Sequence, residues 1–117
     1  MTDTKQLDYI VHQLKWMEEN CDDEQTSKNL RRAATQTLDR FSIEGSPFYS
    51  DERILYVSMI IGRLSRNIGL KGVMKCLYER RQFCELPEFY INWAKVNVNF
   101  QYYEIFSSHF CRNIFCK

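Results

Sequence analysis

The sequence predicts an all-α domain built from about three stacked helix hairpins. Apolar residues recur three and four positions apart through most of the chain, the spacing that places them on one face of a helix. The 117 residues include only four glycines and two prolines, whereas an all-β domain of this size needs many tight turns built from those residues. The length leaves room for one hydrophobic core, so residues 1–117 are interpreted as a single domain.

The first two helices are predicted to form an antiparallel hairpin. The stripe of helix one consists of Leu7, Ile10, Val11, Leu14 and Met17. Asp22 and Asp23 offer capping oxygens and negative charge at the start of helix two. The stripe of helix two consists of Leu30, Ala33, Ala34, Thr37, Leu38 and Phe41.

Helix three is predicted to lie in the middle of the domain. The segment Ser42 to Ser50 contains Gly45 and Pro47 and interrupts the apolar period, and helix three then opens at Ser50. Its apolar residues cover more than one face, and such a helix must be covered on most sides. They are Ile54, Leu55, Val57, Met59, Ile60, Ile61 and Leu64.

Three further helices complete the prediction. The turn Asn67–Gly69 precedes helix four, and Pro87 suits the first turn of helix five, where its missing N–H would have no partner. The stripe of helix four is Leu70, Val73, Met74, Leu77 and Tyr78. Helix five carries Phe89, Tyr90, Trp93 and Ala94, and helix six carries Tyr102, Tyr103, Phe106, Phe110 and Ile114.

Helix pairs that recur at roughly 35 to 40 residues are typical of tetratricopeptide-like and related α-solenoids. Bulky and small residues alternate within helices, as in Leu30 with Ala34 and Tyr90 with Ala94, which suits close helix packing. A plain six-helix bundle would give much the same pattern.

Charge and cysteine content narrow the function classes. Lys plus Arg number 16 against 15 Asp plus Glu, so the chain lacks the broad positive field that nucleic-acid binding requires. No apolar run approaches the roughly 20 residues of a membrane span, and no signal peptide is visible. The five cysteines are odd in number and form no C-x-x-C pair, so we expect reduced thiols in a reducing compartment.

The sequence predicts neither a catalytic site nor a cofactor. His12 and His109 have no evident catalytic partner, and no phosphate-binding or nucleophile motif is present. Cys111 and Cys116 with His109 are the one metal-like group, and small buried hydrophobic residues are the simpler interpretation. Two basic pairs, Arg31–Arg32 and Arg80–Arg81, are either solvated or form a basic rim for an acidic peptide.

Four ordered patches resemble one family. They are Lys15-Trp16-Met17-Glu18-Glu19-Asn20, Asn29 through Leu38, Tyr49-Ser50-Asp51-Glu52-Arg53-Ile54-Leu55 and Phe89-Tyr90-Ile91-Asn92-Trp93-Ala94. Together they are similar to the N-terminal tetratricopeptide-like domain of the spindle-checkpoint proteins of the Bub and Mad family. No Lys-Glu-Asn motif precedes the domain, which favours the Bub kinase branch over the BubR and Mad branch.

The resemblance implies a docking module that binds a short helical motif of the outer-kinetochore scaffold protein. The corresponding binding positions are Ile61, Ser65, Gly72 and Val73. The family's kinase domain would lie beyond Lys117, so this chain is expected to be a non-enzymatic N-terminal fragment. The implied location is the kinetochore and nucleus, with a cytoplasmic pool and no nucleic-acid or membrane partner.

The apolar pattern points to the same region. Helix three carries more apolar surface than two neighbouring helices can cover, and an uncovered strip of this kind is a partner site. In the alternative interpretation, loops simply bury Met59, Ile60 and Ile61. Two other functions remain open at this stage: a helical interaction adaptor of an unrelated system, and a small enzyme.

Overall fold

The computed structural model describes residues 2–98, with side chains to Val96, and this part of the chain is all-helical. Its five helices are α1 (Asp3–Glu19), α2 (Glu24–Phe41), α3 (Glu52–Leu64), α4 (Gly69–Glu79) and α5 (Pro87–Val98). The all-α prediction and the order of the first five helices are therefore confirmed. The predicted sixth helix, from Tyr102 to Ile114, lies outside the described residues.

Side-chain caps fix where the first two helices begin. Thr2 Oγ1 accepts a hydrogen bond from the backbone N–H of Lys5 at the start of α1. Asp23 caps α2, as predicted, because its Oδ1 accepts from the N–H of Thr26 at 2.7 Å. Hydrogen bonding to Thr26 also lowers the pKa of Asp23.

The start of α3 differs from the prediction by one residue. Asp51, and not Ser50, is the N-cap, because Asp51 Oδ1 accepts from the N–H of Arg53 at 2.8 Å. The hydroxyl of Ser50 instead donates to the carbonyl oxygen of Gln82 at 2.5 Å. Asp51 therefore caps the helix, whereas Ser50 connects the start of the helix to a loop that is distant in sequence.

Ion pairs show that α1 and α3 run in the same direction. Arg53 at the start of α3 contacts Asp8 near the start of α1, with 2.6 Å between Nη1 and Oδ1. Arg63 at the end of α3 contacts Glu18 at the end of α1, with 2.7 Å between Nε and Oε2. Since α2 joins the two and packs against both, it runs antiparallel to them.

The core of the described residues has two clusters, and α3 contributes to both. The large cluster consists of Leu7, Phe41, Ile54, Leu55, Met74, Leu77, Phe83, Phe89 and Tyr90. The small cluster consists of Leu14, Leu30, Ala34, Val57 and Ile60. Because α3 packs against α1, α2 and α4, the prediction that helix three lies in the middle is confirmed.

Gly62 allows α3 and α4 to approach closely. A Cβ atom on Gly62 would lie 2.9 Å from Leu70 Cα and 3.3 Å from Val73 Cβ. The first of these atoms is backbone, so a side chain at Gly62 could be accommodated only by moving α4 away. This contact sets the geometry of the α3–α4 junction, where all four predicted binding residues lie.

A buried polar network closes the opposite end of α3. Gln82 is 1% exposed and donates through Nε2 to the carbonyl oxygen of Tyr49 at 2.8 Å and to Ser42 Oγ at 2.7 Å. Together with the hydroxyl of Ser50, these bonds join the loop before α3 to the loop after α4. Nothing in the charged stretch around Gln82 predicted its burial.

Candidate functional site

The four predicted binding residues all keep part of their surface in solvent. Ile61 lies one turn before the end of α3, Ser65 is the residue that ends α3, and Gly72 and Val73 lie in the first turns of α4. The structure joins two of them into one patch and uses the other two mainly for packing.

Ser65 and Gly72 are connected through Ile68. Ser65 Oγ accepts a hydrogen bond from the N–H of Ile68 at 3.2 Å. The Cγ2 methyl group of Ile68 lies directly over Gly72, within 2.4 Å of where a Cβ would stand. Ile68 is itself 58% exposed, a large fraction for an isoleucine next to a helix start. We name Ser65, Ile68 and Gly72 the junction patch.

The sequence interpretation did not include Ile68 among the candidate binding residues and treated it only as part of a turn. The signal that could have identified it is an isoleucine between Asn67 and Gly69, two residues typical of turns. An apolar side chain in such a turn has little opportunity for burial by its own helix, so its presence there suggests a contact outside the helix.

Ile61 and Val73 pack against different parts of the core. Ile61 contacts the small cluster, whereas Val73 contacts the large cluster and lies 3.3 Å from where a Cβ atom on Gly62 would stand. Successive helical residues point about 100° apart, so Ile61 does not share the α4-facing side of Gly62. Val73 therefore packs within the α3–α4 contact, whereas Ile61 packs on the side of α3 that faces α1 and α2.

The expected uncovered strip along α3 is absent. Ile54, Leu55, Val57 and Ile60 are buried, and the remaining apolar residues of this helix are partly covered. The prediction failed because it counted two neighbouring helices, whereas α3 has three, namely α1, α2 and α4. Helices cover Ile60 and Ile61, whose cluster contains only helical residues, whereas Met59 packs against the large cluster, to which the loop residue Phe83 also belongs.

A charged groove lies beside the junction patch. It has a volume of about 810 Å³ and runs between the start of α2 and the end of α3. Its lining consists of Cys21, Asp22, Asp23, Glu24, Ser27, Lys28, Arg31, Arg63, Leu64, Ser65, Arg66 and Asn67. Ser65 belongs to both the groove and the junction patch.

The groove carries charge of both signs. Arg63 is neutralised by Glu18, which accepts from both Nε and Nη2 at 2.7 and 2.8 Å. Burial, and secondarily the negative charge of Glu18, raises the pKa of the adjacent Tyr56 hydroxyl. Arg31 and Arg66 form no ion pair with any described residue, so they are the cations most available to an acidic ligand.

Side chains that could act as a base or a nucleophile are dispersed in the described part of the chain. His12 is exposed on α1, Cys84 is a partly buried free thiol after α4, and Glu18 is occupied by Arg63. No group of three or more potential metal ligands occurs within residues 2–98. The metal-like group His109, Cys111 and Cys116 lies outside the described residues.

Comparison with known proteins gives no family assignment. No family model, no curated protein and no solved structure matches the chain. Within the described residues, no helix has the length and apolar content needed to cross a membrane.

Proposed function

We propose that this chain is a protein-docking domain of a spindle assembly checkpoint protein, which binds a short helical motif of the outer-kinetochore scaffold and so localises a checkpoint kinase. The proposal combines the four sequence patches that resemble the Bub and Mad family with the properties of the α3–α4 junction. Within this family, the Bub kinase branch is favoured. The kinase domain itself would lie after Lys117, and the domain would act at the kinetochore and in the nucleus, with a cytoplasmic pool.

The packing order is compatible with a tetratricopeptide-like stack. The two ion pairs that align α1 with α3 both join residues 45 positions apart, and α2 and α4 follow α1 and α3 as antiparallel partners. In such a solenoid, equivalent helices of successive hairpins run parallel in this way. A third hairpin would consist of α5 and the predicted helix six.

The exposed side chain of Ile68 is the observation that carries the docking proposal. It stands between Ser65 and Gly72, where the resemblance implies the scaffold motif would bind. An amphipathic peptide helix needs an apolar anchor of this kind, with polar groups such as Ser65 and the nearby Arg66 at the rim. The scaffold motif would pack on Ile68 with the small residue Gly72 beneath it.

Binding to mitotic extract tests this function directly. The immobilised chain should enrich the outer-kinetochore scaffold, and Ile68→Asp should reduce that enrichment at least about tenfold, because the substitution places a charge in the apolar contact. Ile43→Asp is the matched control, since Ile43 is also exposed but lies in the loop between α2 and α3. Crosslinking followed by identification of the captured proteins gives the measurement.

Two outcomes would contradict the proposal: failure to enrich the scaffold, or equal loss of binding in both variants. Ile61→Asp and Val73→Asp are poorer probes, because both side chains pack against core clusters and their charged variants should unfold the domain. Capture of a different, non-mitotic protein through Ile68 would favour the alternative function, an interaction adaptor of an unrelated system.

A further inference from the structure

The outward face of α1 carries an ordered stripe of exposed side chains. Lys5, Tyr9, His12, Trp16 and Glu19 are spaced four, three, four and three residues apart, which places them along one side of the helix. This side is opposite the buried residues Leu7 and Leu14. Tyr9 and Trp16 are each 60% exposed, the highest values among the exposed large hydrophobic residues.

We propose that this stripe binds a second copy of the chain, with the two α1 helices antiparallel about a two-fold axis near His12 and Gln13. The axis would bring Tyr9 of each copy beside Trp16 of the other, and Lys5 of each copy beside Glu19 of the other. The positions of these side chains are those of the single chain. A second copy is the partner that fits, because the stripe is complementary to the same stripe running in the opposite direction.

The charges at the two ends of the stripe support self-association. Lys5 lies in the first turn of α1 and Glu19 in its last turn, the reverse of what the helix dipole favours. Neither side chain forms an ion pair within the described residues. These charges therefore do not stabilise α1 itself, whereas an antiparallel second copy would pair each with its opposite.

The aromatic residues give the same stripe an apolar centre. Tyrosine and tryptophan are enriched at protein interfaces, because each combines a large apolar surface with one polar group. A contact limited to one helix per copy belongs to the small interface class, so the dimer is expected to be weak and concentration-dependent. This inference does not depend on the kinetochore function proposed above.

Sedimentation equilibrium of the full 117-residue chain, from about 10 μM to about 1 mM, tests the proposal. The chain should show a monomer–dimer equilibrium. Trp16→Ala, Lys5→Glu and Glu19→Lys should each raise the dissociation constant at least about tenfold, because every substitution acts twice in a two-fold dimer.

The double variant Lys5→Glu with Glu19→Lys is the decisive measurement. It restores opposite charges across the axis, so its dissociation constant should return to within about threefold of the original value. Its fold should be retained, since a glutamate three residues after Thr2 completes a capping box and both new charges suit the helix dipole. Circular dichroism melting checks this.

Control variants separate the stripe from the rest of the surface. Lys75→Glu on α4 and Ile91→Ala on α5 change exposed residues outside α1 and should leave the dissociation constant unchanged. A chain that stays monomeric at all concentrations would overturn the proposal, as would a double variant as weak as the single ones. A monomer would point instead to residues 99–117 or a different protein as the occupant of the stripe.

Discussion

Two glycines near the α3–α4 junction have opposite structural roles. A side chain at Gly62 would meet the backbone of Leu70, whereas one at Gly72 would meet only the side chain of the exposed Ile68. Backbone cannot yield without moving a helix, but an exposed side chain can change rotamer. The same substitution at the two positions therefore has different consequences.

We expect Gly62→Ala to lower the free energy of unfolding by about 1 to 2 kcal/mol, because forced separation of the helices outweighs the gain of about 1 kcal/mol in helix propensity. Gly72→Ala should be neutral or stabilising by up to about 1 kcal/mol, since the propensity gain is kept. Urea unfolding midpoints of both variants give the comparison. Equal losses would mean that Gly62 is not the point of closest approach.

Gln82 provides a second residue-scale prediction. Its side-chain amide is buried, and methionine matches its length while removing both hydrogen bonds to the loop before α3. Gln82→Met should lower the free energy of unfolding by about 1 to 2 kcal/mol, because the carbonyl oxygen of Tyr49 loses a buried donor, while removal of Gln82 Oε1, which is buried without a hydrogen-bond partner, recovers part of the loss. The control is Gln36→Met on the exposed side of α2, which should change stability by less than about 0.5 kcal/mol.

At the scale of a helix, the start of α3 depends on the pair of Asp51 and Arg53. The guanidinium group of Arg53 binds both oxygens of Asp51, at 2.9 and 2.8 Å, and also contacts Asp8. The hydrogen bond from Arg53 holds the pKa of Asp51 below its ordinary value of 3.8, and the same carboxylate raises the pKa of Arg53. This pair therefore caps α3 and, through the contact of Arg53 with Asp8, connects the start of α3 to α1.

Acid should reduce the stabilisation that the Asp51 carboxylate contributes. Because the pKa of Asp51 is lower in the folded than in the unfolded chain, its contribution is complete above pH 3.8 and is lost as the pH falls through the folded-state value. Asp51→Asn keeps a capping side chain but loses the charge, so it should destabilise the domain by about 1 kcal/mol at neutral pH. The difference in melting temperature between the original chain and the Asp51→Asn variant should become smaller below pH 3.8. A gap that widens in acid would contradict the assignment.

For the whole molecule, the sequence predicted the positions of the helices better than it predicted which of their surfaces stay exposed. Apolar periodicity located five helices, and the central position of α3 followed from its nearly all-round apolar character. Which surface of a helix stays exposed depends on how many other helices pack against it. The spacing of apolar residues in the sequence does not reveal how many there are. The prediction of an uncovered strip on α3 was wrong for this reason. The exposure of Ile68 at the junction was not predicted.

Local chemistry was also easier to predict than long-range pairing. Asp23 and Pro87 mark helix starts through groups a few residues away, and the structure has both where the sequence placed them. Gln82, in contrast, is buried because Ser42 and Tyr49 reach it from 40 and 33 residues away. A polar residue in a charged stretch gives no sign of such distant partners.

The large core cluster contains residues of both described hairpins, which has a consequence for how the described part of the chain unfolds. Stacks of helix hairpins commonly unravel from their ends, one unit at a time. Here Leu7 and Phe41 of the first hairpin share the large cluster with residues of α3 and α4, so neither hairpin can leave without exposing part of that cluster. The two halves should consequently lose their structure in one cooperative step, with matching hydrogen-exchange protection in α2 and α4.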